Sequence, residues 1–270
     1  MKRTPAVAGT FYPADPESLE KLVRELTVHD REPIRAVGAI SPHAGYLYSG
    51  GVAGMVFSSI AVPETVVVIG PNHTGYGRRG GILSSGTFGM PGFDVAIDRE
   101  LAGAIMENTE LLKEDADSHT HEHSLEVQLP FIHHHNPSAM IVPICVMGRG
   151  IDFVSSIGSA VARAIQDTGR DALVIASSDM THYEPQEIAQ RKDNIAIGRV
   201  LELDAAGLLR VTAENDISMC GVIPAAIMLV CAVELGANRA RLIDYRTSGQ
   251  VTHDYDEVVG YAGIAVYRGT

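Results

Sequence analysis

The sequence predicts an α/β fold, a single domain over residues 1–270 with a central mixed β-sheet flanked by helices. Three short runs, residues 34–40 (IRAVGAI), 65–69 (TVVVI) and 171–176 (DALVIA), carry apolar residues on both faces, as strands covered by helices on each side do. Stretches with apolar residues at helical spacing separate them, the alternation expected of an α/β sheet. Each run also empties into a loop rich in polar and small residues: SPHAGY, GPNHTG and SSDMTHY. In open α/β sheets, ligands bind outside the carboxyl ends of the strands, so these loops are where function is expected.

The elements follow in order. Asp15 caps a first helix with Pro16 at its opening position, and Leu19, Leu22, Val23 and Leu26 recur on one face. After strand 34–40, residues 49–60 (SGGVAGMVFSSI) form a small-residue helix that must pack closely on the sheet before strand 65–69. Residues 80–98 suggest a hairpin or irregular strands, and 99–108 a helix. Residues 118–129 can start a helix with Leu125, Leu129 and Ile132 facing inward, until Pro130 perturbs it. Residues 139–146 (AMIVPICV) are strand-like, with Pro143 suggesting an edge or a bulge. Residues 151–168 are a helix stopped by Gly169, helices are expected at 186–203, 204–214 and 222–235, and strands at 240–245 and 258–267, the last alternating enough to be partly exposed.

Composition narrows the function. The 270 residues carry 21 Lys plus Arg against 33 Asp plus Glu, a net charge of −12, which disfavours sequence-independent binding to nucleic acid or an anionic membrane. The longest apolar segment, 222–235, is broken by Pro224 and too short to span a bilayer, and the N-terminus has no apolar core of signal-peptide length, so a cytoplasmic protein is expected. Three cysteines with no Cys-x-x-Cys make neither a disulfide framework nor a structural zinc knuckle.

Four strand-to-loop or loop-to-helix junctions deliver His43, His73, the pair Asp179 and His182, and Cys220. That inventory has the types and number of a three-ligand metal site with acid–base groups beside it, and two imidazoles with one anionic ligand is the logic of non-haem iron sites. Structural roles for some or all of them are the competing reading; for Asp179 this is a turn cap after Ser178. His119 and His121, close to Glu114, Asp115 and Asp117, read as a solvated loop, the run 133–135 as a helix end favouring positive charge, and Cys145 and Cys231 as small core residues. Tyr46 and Tyr48 line a pocket or cap the core.

These motifs, TPAVAGTFYP, SPHAGYLYSG, IGPNHTG, HEHSLEVQLPF, SSDMTHY, SMCGVIPAA and YAGIAVY, resemble the Memo family in order and spacing over nearly the whole chain. The resemblance implies a fold like that of class III extradiol dioxygenases, which hold Fe(II) with two histidines and a glutamate. Carried over by motif, His43 and His73 match the histidine ligands and Cys220 the cysteine that Memo proteins place third, while Glu122 and His123 of HEHSLE complete the pocket. A thiolate in place of the carboxylate departs from the dioxygenases and admits one iron, copper or zinc ion, with Fe(II) favoured. Asp179 and His182 are then orienting and proton-transfer candidates. Two functions compete: a redox or oxygenase-like enzyme on a small molecule, and a non-catalytic scaffold whose pocket holds a metal or a peptide. Asp179 and His182 favour the enzyme, since a scaffold has little need of them.

Overall fold

The computed structural model describes residues 2–27 and 32–269. In chain order the first elements are β1 (Lys2–Arg3), α1 (Pro16–Leu26), β2 (Ala36–Ser41), α2 (Tyr46–Ser59) and β3 (Thr65–Pro71). There follow β4 (Gly80–Ile82), β5 (Thr87–Met90), β6 (Phe93–Ala96), α3 (Arg99–Glu107), β7 (Lys113–Glu114), α4 (Asp117–Thr120) and α5 (Leu129–His135). The second half holds β8 (Met140–Val146), α6 (Ile151–Thr168), β9 (Ala172–Ser177), β10 (His182–Glu184), α7 (Gln186–Leu201), α8 (Ala205–Glu214), α9 (Val222–Glu234), β11 (Arg239–Thr247), α10 (Gly249–Thr252) and β12 (Val258–Tyr267).

Four parallel neighbours, β2, β9, β3 and β8, form the middle of a mixed nine-stranded sheet, with β12 antiparallel to β2 on one side and β4 antiparallel to β8 on the other. Their side chains alternate between two layers. Val67, Ile69, Val142, Ile144 and Val174 face a cluster that includes Leu101, Val161 and Ile227 of α3, α6 and α9. Val66, Val68, Ile141, Leu173 and Ile175 face Leu19, Phe57 and Phe131 of α1, α2 and α5. Burial on both faces is why these runs lack polar alternation.

Local signals account for the helix ends. Asp15 accepts from Ser18 N at 2.9 Å at the head of α1, and Gly169 at φ 65° closes α6 in the left-handed conformation. Two glycines of α2, Gly50 and Gly54, admit the end of α1, since a Cβ on Gly54 would stand 2.1 Å from the Leu26 carbonyl oxygen; Gly51 faces Arg246 of β11, and Val52 and Val56 reach toward Gly263 of β12.

Several expectations are corrected. Residues 118–129 are no continuous helix: α4 stops at Thr120, and a single turn of 3-10 helix at Glu126–Gln128 leads into α5, with Pro130 in its first turn, where proline fits. The Glu122 carboxylate takes the backbone N–H groups of His123 and Ser124, which pulls them out of a helical ladder. Strand β8 is internal; Pro143 falls between the pairing of Ile82 with Ile144 and the bridge of Ile97 to Ile141. Strand β12 is buried along nearly its whole length because β2 and β11 pair with its two edges and the two apolar layers cover its faces, Ala262, Ile264 and Val266 in one and Ala265 in the other. His119 is also buried, its Nδ1 2.8 Å from the Asp115 carbonyl and its Nε2 3.2 Å from that of Pro143.

The N-terminal segment is strapped across this loop. Arg3, 4% exposed, donates to the carbonyls of His119 (2.8 Å) and Glu122 (2.6 Å) and pairs with the fully buried Glu126. Glu126 in turn accepts from Ala6 N, Val7 N and Tyr12 Oη. Removing one partner of a buried ion pair strands the other charge, at a cost of about 3–5 kcal/mol. Arg3→Ala is therefore expected to lower unfolding stability by that order in a denaturant titration, whereas Lys2→Ala, which breaks only the exposed pair with Asp94, is expected to cost about 1 kcal/mol or less.

Candidate metal centre

The carboxyl ends of β2, β3 and β9 lie side by side, and each hands on a polar residue at the point where the apolar run stops. His43 follows β2, His73 follows β3, and Ser177, Ser178 and Asp179 end or follow β9. The loop after α4 adds Glu122 and His123 from above, and the turn before α9 adds Ser218 and Cys220.

Three imidazoles converge there. The rings of His43 and His73 are 5.1 Å apart between centroids, those of His73 and His123 4.7 Å, and those of His43 and His123 5.4 Å. One ligand atom from each lies within 4.8 Å of the others, so His43, His73 and His123 can hold a metal ion. The Sγ of Cys220 stands 3.2 Å from His43 Nε2. Nitrogen and sulfur ligands at ordinary zinc distances, about 2.0 and 2.3 Å, lie roughly 3.5 Å apart at a tetrahedral angle. The contact also has the length of a thiol hydrogen bond to Nε2, and Cys220 lies outside the grouping of the three histidines.

Hydrogen bonding sets the imidazole tautomers. Ser177 Oγ donates its one proton to the Ser124 carbonyl (2.6 Å) and accepts from Gln128 Nε2 (2.8 Å), so its 3.0 Å contact with His43 Nδ1 is a bond donated by the ring. That leaves the lone pair of His43 on Nε2, facing Cys220. His73 Nδ1 lies 2.9 Å from Glu122 Oε1, an acceptor, which leaves the His73 lone pair on Nε2 as well. His123 Nδ1 stands 3.3 Å from the same carboxylate oxygen.

Glu122 also accepts the backbone N–H of His73 at 2.6 Å. Burial alone would push this carboxyl up, yet His73, the Ser124 N–H and His123 hold it down to about 2, so it is an anion at neutral pH. Asp179 goes the other way: burial raises it to about 6 against the bond from His43 N (2.7 Å) and the nearby His182. His43 is pushed well below the ordinary imidazole value by burial, then by His73, His123 and His182, and is neutral at pH 7. The Cys220 thiol is pushed far up by burial and by Asp179.

His182 stands further out. Its N–H donates to Ser218 Oγ at 2.8 Å and its Nδ1 lies 3.0 Å from the Ser218 carbonyl, which leaves Nε2 directed away from that backbone. Tyr46 is buried with its hydroxyl on the Val127 carbonyl, whereas Tyr48 is 39% exposed. Ser177, Ser124, Gln128 and Ser218, the groups that aim the rings, were not singled out from the sequence, although each lies within one of the motifs SSDMTHY, HEHSLEVQLPF and SMCGVIPAA. Cys145 and Cys231 are buried core thiols, and Phe93 stacks on His133 at the end of α5.

These shifts give the site a pH dependence. An unfolded imidazole binds a proton as pH falls through about 6.5, whereas folded His43, faced by His73, His123, His182, Asp179 and Cys220, resists it. The unfolded state then holds more protons, so stability is expected to fall below pH 6.5 by about 1.4 kcal/mol per pH unit for each such group. Melting temperatures between pH 7.5 and 5.0 are expected to decline less steeply in His43→Gln than in the parent protein.

A family model described as Memo, Memo-like protein, matches residues 3–265. A MEMO1 family protein of Methanopyrus kandleri is 40% identical over 283 residues, covering 100% of both chains. One from Methanosarcina acetivorans is 42% identical over 273 residues, covering 98% of each. The crystal structure of an uncharacterized protein from Escherichia coli K12 aligns with a TM-score of 0.56 at 13% identity, over 86% of this chain and 100% of that one, a likeness of fold alone. With a family model and relatives that match along almost its entire length, this chain belongs to the Memo family.

Proposed function

We propose that the protein holds one transition-metal ion through His43, His73 and Cys220, and that it is a redox or oxygenase-like enzyme acting on a small molecule. The observation that supports this most is the locking of both imidazoles: Ser177 takes the Nδ1 proton of His43 and Glu122 that of His73, so both free lone pairs are on Nε2. Two imidazoles and a thiolate admit iron, copper or zinc, and Fe(II) is the ion proposed here because it goes with the oxygenase-like reading. A bound redox metal with open coordination positions would supply oxygen or one-electron chemistry. The remaining residues take supporting roles. Glu122 orients His73, Asp179 fixes the backbone of His43, and His123, His182 and Asp179 are the acid–base groups within reach of a ligand.

A second ligand set, His43, His73 and His123, is favoured by the mutual 4.8 Å grouping of their donor atoms. The two sets differ in proton count. Histidines bind a metal as neutral rings, whereas the Cys220 thiol, raised by burial, must lose its proton to ligate. Calorimetric titration with Zn(II) at pH 7.5 in buffers of different ionisation enthalpy is expected to show about one proton released per metal, and none in Cys220→Ser. Metal uptake with no proton release in the parent protein would select the three-histidine set.

The scaffold alternative predicts a site that takes a metal or a peptide without turnover. Fe(II) loaded without oxygen is expected to bind nitric oxide and give an electron-spin signal, since three protein ligands leave positions open on a metal that prefers five or six partners. Stoichiometric iron with neither a nitric oxide adduct nor oxygen consumption would favour the scaffold.

A further inference from the structure

A cleft of about 560 Å³ opens beside the candidate metal centre, outside the carboxyl ends of β3 and β8 and against α8 and the start of α9. Its size falls in the range of small-molecule sites, roughly 300–1,000 Å³, and its position is where α/β sheets bind ligands. Cys220 forms part of its wall, which places the cleft next to the residue whose sulfur faces His43. Leu209, Ile217 and Ile223 make much of the lining apolar.

The charge of this lining inverts that of the chain. The protein has 33 acidic against 21 basic residues, yet among the described residues no carboxylate lines the cleft and one arginine, Arg149, does. Arg149 is exposed and has no ion pair among those found for the described residues; Asp152, the acidic residue in the first turn of α6, lies outside the lining. Asn72, the other polar group near that end, is spent on its own loop, donating to the Tyr76 carbonyl and accepting from Thr74 and Gly75. An uncompensated guanidinium at one end of an apolar cleft suits one negative group on an apolar body.

We propose that this cleft is the substrate site of the metal centre proposed above, and that it takes a small molecule with an apolar body and one carboxylate, sulfonate or phosphate group paired with Arg149. The inference rests on that reading for the word substrate, but the binding preference stands on the cleft alone. It is tested with two fluorescent probes of similar body, 8-anilinonaphthalene-1-sulfonate, which is anionic, and N-phenyl-1-naphthylamine, which is neutral. Both are expected to bind saturably at one site, the anion more tightly. Arg149→Gln is expected to weaken the anionic probe about tenfold and leave the neutral one within about twofold. Ala213→Trp, which fills the cleft from an exposed position on α8, is expected to abolish both while circular dichroism and melting temperature stay unchanged.

Equal loss of both probes in Arg149→Gln would overturn the anion preference, and undiminished binding in Ala213→Trp would overturn the site. Zn(II) titration of the same variants separates the two proposals. Normal metal uptake with failed probe selectivity defeats the cleft alone, and selective probe binding with no metal uptake defeats the metal reading alone.

Discussion

A single buried carboxylate, Glu122, ties the parts of the candidate centre together. It accepts from the backbone and ring of His73 and from the backbone of His123 and Ser124, four donors drawn from two distant segments of chain. Burying a charge is unfavourable unless such donors compensate it, so the anion requires the loop at 121–125 and the turn after β3 to be where they are. Its own carbonyl is held by Arg3, whose guanidinium is in turn neutralised by Glu126. The N-terminal segment is thereby built into the site's support although it contributes no ligand.

Sheet topology supplies the other half of the geometry. Parallel pairing of β2 with β9 and of β9 with β3 brings three strand ends to one edge, so residues more than a hundred positions apart, such as His43 and Asp179, bond directly. Opposite environments then separate two carboxyls. Glu122, surrounded by donors, stays ionised, whereas Asp179 is raised toward neutrality by burial and sits between the backbone of His43 and the Cys220 turn. Pairs of groups pushed apart in this way are a feature of acid–base sites.

Much of this was legible in the chain before folding. Runs such as TVVVIGP announce both a doubly covered strand and the place where it stops, so the junctions bearing His43, His73 and Asp179 could be located from apolar patterning and proline. What stayed hidden is non-local. Nothing in the spacing of Gln128 and Ser177 says that they meet, yet their bond dictates which nitrogen of His43 is free. The segment 118–129 has a helical apolar pattern that loses to the claims of Glu122 on its backbone, and His119, read as solvated because acids precede it, is buried under Arg3. The regular alternation of β12 hinted at an exposed face, but pairing on both edges and helices on both sides enclose it.

The central claim is that the strand-end histidines present their Nε2 atoms to one metal ion. Anomalous scattering from crystals loaded with zinc or iron tests it directly. The account predicts a single peak within about 2.0–2.3 Å of both His43 Nε2 and His73 Nε2, with their Nδ1 atoms still on Ser177 and Glu122. A peak bound through Nδ1, or one lying instead at the histidine run 133–135, would contradict it.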